Sequence, residues 1–289
     1  MLELGIGADL LRGVGWIIWG VFGLALLAAL IKPKALATKA VCTLVVIALF
    51  VLPMIPRAYE NYAYQKRYLK ARALFDERCK TAGEKIYRTV ENVEGVLLLN
   101  VRSNKKVANR TNPNWPDAGL PDESGGDEYL KTFLYWEQRV HSPKQEYRGY
   151  VNNHRSDTSG HQTLPGYAFV DVKEVDGLIQ RYQLTGPRSS ELSRQAVSGQ
   201  PARYAVSFTN MIDPADRQLW VAGTTVTITD TKTGEVMATS TWYALEPGQG
   251  SEAGGRQPWG FATICPISGN GNSPTRFFVD QILKPKQGE

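Results

Sequence analysis

The feature that most constrains this chain of 289 residues is a pair of uncharged, apolar stretches near its start. The first runs from Gly13 to Ile31 and the second from Ala40 to Pro56. A helix needs about 20 mostly apolar residues to cross the hydrocarbon core of a membrane. Both stretches are close to that length. They predict a transmembrane helical hairpin over residues 1–56, with everything that follows on the same side of the membrane as the N-terminus.

Two other interpretations of these stretches fit the sequence less well. The apolar core of a secretory signal peptide is only about 7–15 residues long, and here a longer stretch is followed at once by a second one. A buried helical hairpin in a soluble protein would need a large apolar surround. The rest of the chain is too polar to provide it, so we expect an anchor.

Charges near the two stretches do not decide which side of the membrane the polar part faces. The connecting residues hold Lys32, Lys34 and Lys39, which favours a cytoplasmic turn because short cytoplasmic loops are rich in cations. The opposite orientation is favoured by the cations just after the second stretch, which are Arg57, Lys66, Arg67, Lys70 and Arg72.

Cysteine positions bear on the same question. Cys42 lies inside the second apolar stretch, while Cys79 and Cys265 lie near the two ends of the polar part. The latter two could form a disulfide, which persists in oxidising compartments and would place the polar part in the periplasm. The alternative is two buried free thiols, which occur in any compartment; we favour the disulfide and therefore the outward orientation.

A helical pattern without proline follows the second stretch up to Gly83, and it predicts a juxtamembrane stalk helix over residues 57–83. Tyr64, Tyr68 and Phe75 recur at spacings of four and seven, which places them on one stripe of that helix. The stripe indicates packing more strongly than a binding site. Glycine is a common residue just after a helix end, because it accepts the left-handed conformation.

Residues 84–289 are predicted to form the soluble domain. β-Branched and aliphatic residues favour strands over residues 85–90, 93–101, 167–172, 178–184 and 202–210. The strongest local pattern is a hairpin of residues 219–229 and 235–245 around the turn DTKTG. A short final helix is expected after Ser273 as N-cap and Pro274 in the first turn. The fold class is therefore α+β, with a mostly antiparallel β domain and a short C-terminal helix.

An acidic segment stands out within residues 102–128, which are rich in proline, glycine and asparagine and are expected to form a loop. One interpretation is a solvated surface loop. The other is a docking surface for a basic protein partner. The candidate binding residues are Trp115, Asp117, Asp122, Glu123, Asp127 and Glu128.

Motifs for catalysis, metal binding or nucleic-acid binding are not found. Outside residues 1–56 the chain holds 29 basic and 26 acidic residues, without the clustered cations that duplex phosphates require. His141, His154 and His161 lack zinc-site spacing, and the glycine-rich residues 248–255 lack the GK[ST] ending of a phosphate-binding loop. Neither GxSxG nor SxxK is present. We expect no enzyme activity, no cofactor and no metal.

Three stretches of the polar part resemble a known family. They are CKTAGEKIYRTVENVEGVLL, RYAVSFTNMIDPADRQLWVAGTTVTITDTKTGEVMA and GQGSEAGGRQPWGFATICP. Together they are similar to the periplasmic immunity proteins that act against type VI secretion lipase effectors. The resemblance covers about half of the polar domain, in strand and turn residues.

That resemblance implies a periplasmic, non-enzymatic protein that binds and blocks a toxin delivered to the same compartment. It also implies that Cys79 and Cys265 are the family's paired cysteines. Such proteins are often anchored by a lipid on an N-terminal cysteine, whereas this chain has no lipobox and offers two apolar helices instead. The expected localisation is the inner membrane with a periplasmic domain. The alternative function is a structural or docking subunit of an envelope assembly.

Overall fold

The computed structural model describes residues 6–104, 107–134, 150–152, 162–164, 166–185, 191–248, 257–266 and 273–286. The chain divides into two compact units, residues 1–67 and 68–289. In the first unit, helices α1 (Ile6–Ile31) and α2 (Leu36–Val51) contact each other. The rings of Phe22 and Phe50 lie 5.0 Å apart between their centroids in this contact.

Helix length and composition bear on whether the apolar stretches can span a membrane. Among the described residues, no single helix is both long enough and apolar enough to cross a membrane. The pair formed by α2 and α3 (Met54–Cys79), bent by 42° at the break between them, meets the requirement by length and composition. Within α1, the segment Gly15–Ile31 is apolar but shorter than a membrane span requires. The transmembrane hairpin therefore stays a prediction.

The helix expected after the second apolar stretch is present as α3, which begins and ends slightly earlier than the predicted residues 57–83. Gly83 follows it with a φ of +107°, a conformation that glycine adopts without steric cost. Along the predicted aromatic stripe, Phe75 is buried, Tyr68 is partly buried and Tyr64 is exposed. The inner end of the stripe is therefore a packing surface.

The second unit is built on a large sheet, and the described residues contain thirteen strands. They are β1 (Gly83–Ile86), β2 (Val90–Val93), β3 (Gly95–Leu98), β4 (Tyr150–Asn152), β5 (Gln162–Leu164), β6 (Phe169–Lys173), β7 (Ile179–Leu184), β8 (Leu192–Ala196), β9 (Tyr204–Met211), β10 (Val221–Asp230), β11 (Glu235–Leu245), β12 (Thr263–Cys265) and β13 (Leu283–Pro285). The helices are α4 (Val107–Thr111), α5 (Asp127–Leu134), α6 (Pro214–Gln218) and α7 (Pro274–Ile282), with 3-10 helices at Pro116–Gly119 and Pro258–Phe261.

Nine of the strands form one sheet in the order β1-β11-β10-β9-β3-β6-β7-β8, and β12 also pairs with β11. Most pairs are antiparallel, whereas β3 is parallel to both β6 and β9. The predicted hairpin is confirmed as β10 and β11, with Val221 opposite Leu245 and Gly234 at a φ of +74° in the turn. The α+β class and the mostly antiparallel sheet are confirmed.

The two faces of the sheet are covered by different helices. Neighbouring residues of a strand point to opposite faces, and Trp242 and Tyr243 of β11 illustrate this. The ring of Trp242 packs edge-on against Phe278 of α7, within the main hydrophobic core. Tyr243 instead belongs to a second cluster that includes Phe75 of α3. The C-terminal part of α3 thus lies on the face opposite α7.

An ion cluster fixes the end of β10 at the hairpin turn. The side chain of Asp230 is inaccessible to solvent and accepts two hydrogen bonds from Arg203, at 2.9 and 2.7 Å, and a third from Arg88. The backbone N–H of Lys232 donates to the same carboxylate at 3.1 Å. These donors, with Arg203 the largest contributor, hold the pKa of Asp230 well below its usual range.

Candidate functional site

The acidic segment predicted as a partner-binding loop is folded against the sheet and contains short helices. Trp115, Asp117 and Glu123 are buried, with 4, 6 and 4% of their surfaces exposed. Asp127 and Glu128 are exposed and Asp122 is half-exposed. The interpretation as a solvated loop is therefore wrong for the first three residues. They contact the inside of this protein in the described conformation, and only the last three are available to a partner.

The 3-10 helix Pro116–Gly119 lies directly on the sheet because Gly119 has no side chain to hold the two backbones apart. A Cβ atom added to Gly119 would lie 2.3 Å from the carbonyl carbon of Gly223 in β10. This close contact positions Asp117 over the sheet.

Asp117 is the centre of a buried polar network. Its carboxylate accepts hydrogen bonds from Ser103 at 2.7 Å and Asn210 at 2.8 Å, and it pairs with Arg102 at 3.4 Å. Arg102 also donates to the hydroxyl of Thr224 at 3.2 Å. Buried charges are tolerated only when they are paired and hydrogen-bonded, and this network meets that condition for the carboxylate of Asp117.

Arg102 is held by stacking as well as by hydrogen bonds. Its guanidinium carbon lies 4.2 Å from the centroid of the Phe208 ring, which is within the range of a cation–π interaction. Arg102 thereby joins the segment after β3 to β9 and β10.

Glu123 supplies the side-chain hydrogen bond at the start of the C-terminal helix. Ser273 is confirmed as the N-cap residue of α7 and Pro274 lies in its first turn, but the serine side chain makes no capping hydrogen bond. The backbone N–H of Thr275 instead donates to Glu123 at 2.8 Å, and the N–H of Ser124 donates to the other carboxylate oxygen at 3.1 Å. A carboxylate at a helix N-terminus satisfies an otherwise unpaired donor.

The burial of Glu123 has an electrostatic consequence. Burial raises the pKa of this carboxyl group, and the nearby charge of Arg102 together with the two backbone donors acts in the opposite direction. Perturbed carboxyl groups occur both in active sites and in structural ion networks. Here the carboxylate of Glu123 connects two separate segments by accepting hydrogen bonds from the backbone N–H groups of Ser124 and Thr275, which indicates a structural role.

The three surface acids differ in their ion pairs. Asp122 lies 3.6 Å from Arg110, and Glu128 lies 2.8 Å from Lys131 within α5. Among the residues that the structure describes, Asp127 has no salt-bridge partner. In both pairs the cation is largely buried, whereas the carboxylate exposes more than half of its side chain and stays accessible to solvent.

A second buried arginine lies beneath the 3-10 helix Pro258–Phe261. The guanidinium of Arg217 donates to the carbonyl oxygen of Trp115 at 3.1 Å, and its carbon lies 5.4 Å from the ring centroid of Trp259. Burial lowers the pKa of Arg217 to about 10. The indole N–H of Trp259 donates to the carbonyl of Asn112 at 2.9 Å. Trp115 is therefore an interior packing residue.

The two cysteines of the polar part lie at disulfide-bonding distance, with their Cα atoms 5.8 Å apart. Cys79 is the last residue of α3 and Cys265 the last of β12, and 186 positions separate them in the chain. Both belong to the cluster that seats α3 on the sheet. Cys42 is a free cysteine.

No group of three or more metal-ligating side chains occurs within the described ranges. His141, His154 and His161 lie outside those ranges, as does most of the glycine-rich stretch 248–255. Comparison of the chain with protein-family models, with curated proteins and with solved structures finds no match in any of the three.

Several of the organising residues were missed by sequence reasoning. Three distant segments pack together and so bring Arg102, Asn210 and Thr224 into one network. No local sequence motif predicts this arrangement. One signal was present, since Arg102 follows the apolar run VLLLNV directly and a charge next to a buried strand often needs an internal partner.

Proposed function

We propose that this chain is an inner-membrane-anchored, non-enzymatic binding protein whose polar domain faces the periplasm. The observation that carries the proposal is the pairing of Cys79 with Cys265. Disulfides form and persist in oxidising compartments and are rare in the cytosol. A domain that relies on such a bond belongs outside the cytoplasm.

Apolar residues exposed on the first unit support the anchor. Trp16, Leu24, Leu36 and Leu49 each expose more than 60% of their surfaces, at 79, 69, 86 and 68%. An exposed apolar surface of this kind is typical of contact with lipid or with another protein. Lipid is the occupant that agrees with the length of the two stretches.

The proposed partner is a toxin, in the manner of immunity proteins against type VI secretion lipase effectors. The support for this partner is the sequence resemblance of the polar domain together with the expected compartment. The proposed contact residues are the surface acids Asp122, Asp127 and Glu128, because exposed carboxylates speed and orient the docking of a basic surface.

Bacterial competition tests this function. Deleting the gene should sensitise cells to siblings that deliver the matching effector, and wild-type protein should restore survival. The triple variant D122N/D127N/E128Q should restore survival poorly although it is folded and membrane-bound, while the matched variant E77Q/E84Q/E235Q, which removes three exposed acids elsewhere, should restore it fully. Unchanged survival of the deletion strain would contradict the immunity role.

Purification in mild detergent separates this function from the alternative. A free protein that captures an added lipase effector supports immunity. A stoichiometric complex with other envelope proteins, isolated without any effector, would instead favour a docking subunit.

A further inference from the structure

The short connection between α1 and α2 carries an unbalanced positive charge. Lys32 and Lys34 are exposed and Lys39 is half-buried at the start of α2. The sequence holds no aspartate or glutamate anywhere in residues 10–59, so no carboxylate of this stretch can neutralise them. The described residues give none of these three lysines a salt bridge.

Apolar surface adjoins these cations on both sides. Ile31 at the end of α1 exposes 71% of its surface, and Leu36 at the start of α2 exposes 86%. A surface that joins exposed aliphatic side chains to neighbouring ammonium groups matches the boundary between lipid tails and anionic headgroups. A basic protein partner is disfavoured by charge, and an anionic lipid leaflet accommodates both the ammonium groups and the aliphatic side chains.

We propose that this connection docks onto an anionic phospholipid leaflet, with the ammonium groups of Lys32, Lys34 and Lys39 paired to headgroup phosphates. The inference rests on the proposed membrane anchor and adds to it a lipid preference. Each lysine close to an anionic leaflet strengthens the association by about fivefold. Two fully engaged lysines are then enough for a preference of at least about tenfold.

The test uses the full-length chain in mild detergent, titrated with phosphatidylglycerol or with phosphatidylcholine of the same acyl chains, and bound lipid is counted by native mass spectrometry. Wild-type protein should prefer phosphatidylglycerol by at least about tenfold. The variant K32Q/K34Q/K39Q should lose most of this preference. The control K85Q/K173Q/K232Q, which removes the same charge from exposed positions of the polar domain, should keep it.

The inference would be overturned by no preference in the wild type, by an unchanged preference in K32Q/K34Q/K39Q, or by an equal loss in the control. Full competition by soluble glycerol 3-phosphate would also overturn it, because it would indicate a site for a free phosphate and not a bilayer surface. Resistance to carbonate extraction from membranes is measured in parallel. If the wild type is extracted, the anchor itself is refuted; if it resists extraction without any lipid preference, only the present inference fails.

Discussion

Replacing Gly119 by alanine tests whether the 3-10 helix Pro116–Gly119 is held on the sheet by a close backbone contact. The new methyl carbon would lie 2.3 Å from the carbonyl carbon of Gly223 and 2.6 Å from its oxygen. Carbon atoms in contact are normally about 3.5–4.0 Å apart. Because the obstructing atoms belong to the backbone of a central strand, the helix must move away by roughly 1 Å.

The expected cost has two parts. Forcing an extra methyl group into a packed contact typically destabilises a protein by about 1–3 kcal/mol. The same movement stretches the hydrogen bonds that Asp117 accepts from Ser103 and Asn210, and each is worth roughly 1 kcal/mol. The free energy of unfolding should therefore fall by about 3–5 kcal/mol.

Urea unfolding of the full-length protein in detergent, followed by tryptophan fluorescence, measures this change. Gly199→Ala is the matched control, since a Cβ there meets nothing within 4 Å and the residue does not need a positive φ. It should leave stability unchanged or raise it by about 0.4–1 kcal/mol. If Gly119→Ala unfolds within about 1 kcal/mol of the control, the close contact does not hold the segment in place.

Two further changes address the disulfide and the ion cluster. The double variant C79S/C265S should lose about 5 kcal/mol of its free energy of unfolding, because the bond closes a long loop and restricts the unfolded chain. Urea unfolding without reductant measures this loss, and Cys42→Ser is the control. Equal stability of wild type and double variant under oxidising conditions would contradict a formed bond. The depressed pKa of Asp230 contributes stability that is present above the carboxyl pKa of the unfolded chain and is lost as the pH falls through the folded value. Asp230→Asn should therefore be less stable than wild type at neutral pH, and the gap in melting temperature should narrow below about pH 4; a gap independent of pH would refute the electrostatic explanation.

Local patterns were sufficient to predict the hairpin β10–β11, the helix α3 and the α+β class. Each depends on alternation, turn chemistry or helical spacing within a few residues. Such patterns determine the local structure of the same residues that carry them. The sequence left open whether Cys79 and Cys265 form a disulfide or stay free thiols. The answer depends on the redox state of the compartment, which the residues around each cysteine do not determine.

The acidic segment shows why the remainder could not be predicted. The composition of residues 102–128 is that of a loop, yet Asp117 and Glu123 are buried by residues from β9 and α7, far away in the sequence. The local pattern correctly indicated Ser273 as the N-cap residue of α7, but the side-chain hydrogen bond to this helix end comes from Glu123, 152 positions away from Thr275. Which carboxylates are internal is decided by tertiary packing, and composition does not record it.

The position of the disulfide also has a mechanical consequence. β1 and β12 lie end to end along one edge of β11, β1 opposite Ala238–Thr241 and β12 opposite Tyr243–Leu245. A pull transmitted along α3 reaches Cys79 first and passes through the sulfur atoms to Cys265, beside β11. The four-residue strand β1, which comes next in the chain, is thereby shielded from being peeled off the sheet. The domain can resist tension on its N-terminal helix without relying on the hydrogen bonds between β1 and β11.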